Sequence, residues 1–125
     1  MAGNLSDTAE TLVRKWLFSD SGATRPSQWF LKLYTAAPSD SGGGTEVAGG
    51  KGYAAQEISF DANGAANDAE IVFGPATADW GTVTHGAIFD ESNRFLAWAA
   101  VGAARSIPTG DSARFVAGAI TTSFD

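Results

Sequence analysis

Residues 73–90, FGPATADWGTVTHGAIFD, run a strand end, a proline turn at Pro75, a tryptophan and a long alternating segment together without a break. After the turn, Val83, His85, Ala87 and Phe89 fall on one face of an extended chain. Thr82, Thr84, Gly86 and Ile88 fall on the other, the period of two that side chains follow along a strand. This spacing makes the segment the centre of a β-rich core, and none of its side chains is arranged for catalysis.

The flanking sequence continues the pattern. From Gln28, QWFLKLYT sets Trp29, Leu31 and Leu33 against Phe30, Lys32 and Tyr34; both faces are largely apolar, the mark of a central strand. Residues 36–53, AAPSDSGGGTEVAGGKGY, form a glycine-rich loop without periodicity, and a loop of that length in a compact domain is typically functional or mobile. Residues 53–60 and 69–73 read as short, half-buried strands joined by the polar turn DANGAAND. Downstream, DESN turns the chain into RFLAWAAV, with Phe95, Ala97, Ala99 and Val101 opposite Leu96, Trp98 and Ala100, so that a hairpin is expected. SARFVAG and AITTSFD follow a turn at residues 108–111. Seven or eight strands with turn signals every ~8–12 residues predict an all-β fold, a single β-sandwich of jelly-roll or immunoglobulin-like type.

One helical segment precedes the strands. Asp7 stands as a cap with Glu10 three residues on, and Leu12, Val13, Trp16 and Leu17 recur at helical spacing, giving an amphipathic helix of three to four turns. Gly22 in SDSG is expected to end it in the left-handed conformation, and Pro26 blocks re-entry. Residues 1–27 are thus read as an N-terminal helical arm and linker, and residues 28–125 as the sandwich domain. Two roles are open to the arm: packing on its own sheet, or docking on a neighbouring subunit.

At 125 residues the chain is one domain by length and large enough to bury a core. It has no cysteine, so disulfides and thiolate metal sites are excluded. The stretch MAGNLSDTAETLVRKW lacks a basic region followed by an unbroken apolar run, and no segment approaches the ~20 apolar residues of a membrane span, so a soluble protein without an export signal is expected. Eight Lys and Arg stand against fourteen Asp and Glu, a formal charge of -6. The imbalance is uneven: residues 1–35 carry four basic and three acidic groups (+1), and residues 36–125 carry four and eleven (-7). A body this acidic repels phosphate backbones and anionic lipid, so neither nucleic acid nor membrane is an expected partner.

The candidate chemistry is sparse. GGK at residues 49–51 suggests a phosphate-binding loop, but Thr45 occupies the position of the first glycine and Gly52 that of the magnesium-binding hydroxyl. His85, on a face with Val83, Ala87 and Phe89, fits packing or an intersubunit contact better than catalysis, and one histidine without cysteine cannot build the common zinc set. Asp61, Asn63, Asn67 and Asp68 offer oxygens for calcium, but turn chemistry accounts for the same residues. Asp90 and Glu91 are adjacent and form no glycosidase pair. Of the four tryptophans, Trp29, Trp80 and Trp98 belong to the β region, as core if buried and as sugar platforms if exposed.

The segments WFLKLYTAAPSDSGGGTEVAGGKGYAAQEI, AEIVFGPATADWGTVTHGAIFD and PTGDSARFVAGAITTSFD resemble a family of small virion proteins of tailed bacteriophages and prophages labelled phage tail fibre protein. The resemblance covers residues 28–125, with APSDSGGGTEV and ATADWGTVTH its most specific pieces; Lys51 among the glycines and the polar hairpin ESNR depart from the pattern. It implies a non-enzymatic structural component, made in the host bacterial cytoplasm and carried in the virion. Tail-fibre or tail-associated placement, other phage structural proteins as partners and symmetric homo-oligomers, a trimer above all, go with it. Capsid decoration on the phage head and a carbohydrate-binding host-recognition module are the alternatives. Assembly contacts are expected from Leu12, Val13, Trp16, Leu17, Trp80 and His85, with no catalytic residue, metal or cofactor.

Overall fold

In the computed structural model, which describes residues 4–20 and 22–122, nine elements follow in order. They are strand β1 (Asn4–Leu5), helix α1 (Asp7–Phe18) and strands β2 (Trp29–Ala36), β3 (Thr45–Glu46), β4 (Gln56–Ile58), β5 (Ile71–Phe73), β6 (Thr82–Asp90), β7 (Phe95–Ser106) and β8 (Ala113–Phe115). β1, β7, β6, β2 and β3 lie side by side in one antiparallel sheet; β4 joins it beside β3 on the same edge of β2, at Trp29–Leu31, and β5 and β8 form a second, two-stranded sheet. The all-β, sandwich-like fold with an N-terminal helix is the one expected. Of the terminal segment AITTSFD, the described part makes a single bridge between Ala66 and Thr121; residues 123–125 lie outside the described residues.

β2 is central because both of its faces are apolar. Leu31 and Leu33 are fully buried, opposite Ile88 and Gly86 of β6. β6 and β7 form the expected hairpin, turning at Asn93, whose φ of 61° is tolerated by asparagine. The alternation read along β6 does not run through, however. The ladder shifts register between Val83 and His85, and again at Phe89. Such a shift changes which face the following residues use, and Val83 joins Ile88 in the core while His85, Ala87 and Phe89 take the other face of the sheet.

The core lies between the two sheets, where Leu31, Leu33, Val47, Ile58, Phe73, Ile88, Ile107 and Ile120 pack together. Trp80 belongs to it at 4% exposure. Its indole N–H donates to the Lys51 carbonyl at 2.8 Å, and its ring meets Tyr53 edge-on at 5.5 Å. The GGK stretch is therefore a docking segment: the Lys51 carbonyl also accepts from Thr77 N, and Lys51 Nζ reaches the Asp79 carbonyl. Two glycines show why this region is glycine-rich. At Gly52 (φ +78°) a Cβ would stand 2.7 Å from the Pro75 carbonyl oxygen, and at Gly44 (φ +77°) 2.7 Å from Pro38 N. The long loop is tightly built, with its backbone pressed on neighbouring backbone.

Two polar residues hold the turns. Asn67, 3% exposed, donates to the Ala69 and Val116 carbonyls and accepts from Ile120 N. In the same turn Asp61 Oδ1 accepts from Asn63 N and Ala65 N, so these oxygens are engaged in turn formation. Asp90, 2% exposed, accepts from Ser92 N and Arg94 N and pairs with the Arg94 guanidinium, closing the β6–β7 hairpin.

Candidate functional site

α1 begins one residue earlier than its acidic pair suggests. Ser6 is the cap: its hydroxyl accepts from Ala9 N at 3.1 Å and donates to the Phe95 carbonyl, while its own N–H reaches the Leu96 carbonyl at 2.8 Å. Asp7 and Glu10 instead fill the first turn, where carboxylates favour the helix dipole. The helix ends at Phe18 with an extended Ser19, whose N–H bonds to the Lys15 carbonyl, and not through a left-handed Gly22.

The helix is seated at its start only. Ala9 is buried and Leu12 half-buried, but the same stripe continues as Val13 (40% exposed), Trp16 (71%) and Leu17 (57%), and Phe18 beyond it is 83% exposed. A 12-residue helix is about 18 Å long, so roughly its second half overhangs the domain with apolar side chains in water. Leu12, Val13, Trp16 and Leu17 thus form one surface. Phe18 was missed because it lies off the helical stripe, although the apolar run WLF signals it.

Both feet of this helix are tied down. β1 pairs with β7, Asn4 opposite Trp98 and Leu5 opposite Ala97. After the helix, Arg94 donates to the Thr24 carbonyl at 3.1 Å, and the Glu91 carboxylate accepts from Ser27 N and Gln28 N at 3.1 Å each. Its own backbone N–H, with those of Gln28 and Ser27, holds the Glu91 carboxyl below the usual glutamate range. The segment that reads as a free polar linker is thereby fixed to the β6–β7 hairpin.

The two remaining expected contact residues lie apart from this surface. Trp80 is in the core, because its turn folds under the Lys51 loop. His85 is half-buried on the outer sheet face, with Nδ1 2.8 Å from Thr84 Oγ1 and its ring 6.1 Å from that of Trp98. Trp98 donates its indole N–H to Asp40 at 2.9 Å. Tyr53 and Tyr34 have phenols pushed up, first by burial and then by Glu46, so Tyr53 stays protonated, donating to Glu46 and accepting from Leu33 N. Among the described residues Asp7, Glu10 and Asp40 bring carboxylate oxygens within 4.8 Å of one another, all exposed.

A cavity of about 650 Å³ opens beside the feet of the helix. Leu5, Trp29, Phe60, Ile88 and Ile120 give it a largely apolar wall, and Arg25, Asp61 and Asn63 add polar groups. Its volume is that of a pocket for a ligand or a pair of large side chains, on the order of 300–1,000 Å³. Sequence periodicity gave no sign of it, because its walls come from six segments far apart in the chain.

A family model described as "Podophage GP4 fiber I protein gp80" matches residues 4–123. The match takes in β1, α1 and the linker as well as the region that carries the sequence resemblance. No curated protein matches the chain.

Proposed function

Since the chain belongs to the family of the podophage GP4 fiber I protein gp80, we propose that it is a non-enzymatic structural component of a phage fibre, built into the virion in symmetric copies. The observation that carries this reading is the overhanging half of α1. Apolar side chains at 40–71% exposure on a stripe already seated at its other end belong to a contact surface. Val13, Trp16 and Leu17 are already partly covered, so completing their burial on a partner contributes less than the about 1.5–3 kcal/mol of a fully exposed side chain each, against an association cost of roughly 4–15 kcal/mol. One helix contact is therefore weak alone, and holds when several are made together in a closed ring or along a fibre.

His85, bonded to Thr84 and packed near Trp98, takes a packing role in this reading. Copy number tests it: quantified against the major capsid protein in purified particles, this protein should be present in a small number per virion. A ratio near one to one would overturn fibre placement and point to head decoration. Sedimentation of the full chain should show a small oligomer, with a trimer favoured; a monomer at every concentration reached would overturn the symmetric self-association.

A further inference from the structure

Resting on this fibre reading and deepening it, we infer that the exposed end of α1 is seated in the cavity of a second copy, so that copies join head to tail. Knob and hole are both present in one chain. Trp16 and Leu17 are 71% and 57% exposed, and the cavity of about 650 Å³, walled by Leu5, Trp29, Phe60 and Ile120, has room for both side chains. The stripe is continuous with an existing contact, since Ala9 and Leu12 already seat its first turns on the chain's own domain.

Charge points to the same occupant. The exposed half of the helix carries Arg14 and Lys15, while the body from residue 36 onward carries four basic and eleven acidic groups. On the cavity itself Arg25 and Asp61 balance, so the opposite sign is supplied by the body as a whole and not by the cavity wall. A second copy thus offers the helix an apolar hole in a body of opposite net charge, complementarity that steers encounter.

The placement of the helix feet explains why the contact is made between copies. Leu5 before the helix and Arg25 and Trp29 after it all line the chain's own cavity. The helix is an excursion that leaves from that cavity and overhangs, and with both ends fixed by β1 and by Glu91 it presents its tip outward. Each copy then gives a helix and receives one at different surfaces, a heterologous contact that closes into a ring when the rotation between copies allows it.

The chain has no cysteine, so single cysteines report cleanly. Leu17→Cys and Ala62→Cys chains, both changed at exposed positions with Ala62 on the cavity, are made separately, mixed and oxidised. The mixture should give a disulfide-linked 17–62 dimer that neither chain gives alone, since bridging requires Cα atoms within about 7 Å. In sedimentation, Trp16→Ala should weaken self-association about 30-fold, the loss expected of a hot-spot tryptophan. If the oligomer forms but the mixed disulfide does not, some other occupant fills the cavity and the inference is overturned while the fibre reading stands. If the chain does not associate at all, the inference and the self-association reading fall together.

Discussion

Asn67 uses its amide at both ends, holding the 61–68 turn to the segment after β8 through Val116 and Ile120. Asn67→Ala would strand Ile120 N–H without an acceptor and should cost about 2–3 kcal/mol, read as a fall in Tm of roughly 8–15 °C. Gly52 allows a second test at this scale. Gly52→Ala meets both a positive φ and the Pro75 carbonyl oxygen, whereas Gly50 has the same φ of 78° and open space around it. Gly50→Ala should therefore cost only the conformational term, about 1–2 kcal/mol, and Gly52→Ala about 1–3 kcal/mol more for the overlap, measured by denaturant unfolding. Residue type made Asn67 legible as a turn residue, but its partners about fifty positions away leave no local trace. Trp80 shows the same limit. Its place between Asp79 and Gly81 marks a turn, and burial depends on a carbonyl supplied by Lys51 from a distant loop.

Periodicity carried most of the elements, because β2, β6 and β7 are long enough to repeat their pattern. It failed at the register shifts, where one extra residue reverses the faces and only the partner strand reveals it. β1, two residues long, has no period to read, and the helix cap moved to Ser6 because the Phe95 and Leu96 carbonyls are there to receive it. The linker's fixation depends on Glu91, and its pH dependence follows from the sign of that shift. A carboxyl held low in the folded chain adds stability above its unfolded value and loses it as pH falls through the folded one. Protection of the Ser27 and Gln28 amides from hydrogen exchange, taken relative to the intrinsic rate at each pH, should be high at neutral pH and fall on acidification below the ordinary glutamate range. Glu91→Ala, which removes the acceptor, should leave both amides weakly protected throughout, and Glu91→Gln, which keeps a carbonyl oxygen but no titrating group, should abolish the pH dependence.

In the proposed head-to-tail contact, charge asymmetry acts on assembly because the basic half of α1 meets a body of acidic net charge. Arg14→Glu combined with Lys15→Glu should weaken self-association several-fold at low ionic strength. The gap from wild type should close near 1 M salt, where the Debye length is about 3 Å, as read by sedimentation at both salt levels. The arm and its apolar stripe were legible in the sequence, and so was the choice between packing and docking; the proposal of docking rests on the exposures of Trp16 and Leu17, which periodicity does not carry. The cavity that faces the same question was invisible there, being a product of topology. That cavity is also bordered by Asn4 at the start of the described chain and by Thr122 at its end. Two residues from opposite ends of the described sequence thus share one doorway. A bulky label attached at Asn4 or at Thr122 would sit across it as a bolt, and should weaken self-association in sedimentation if the helix of a second copy enters there.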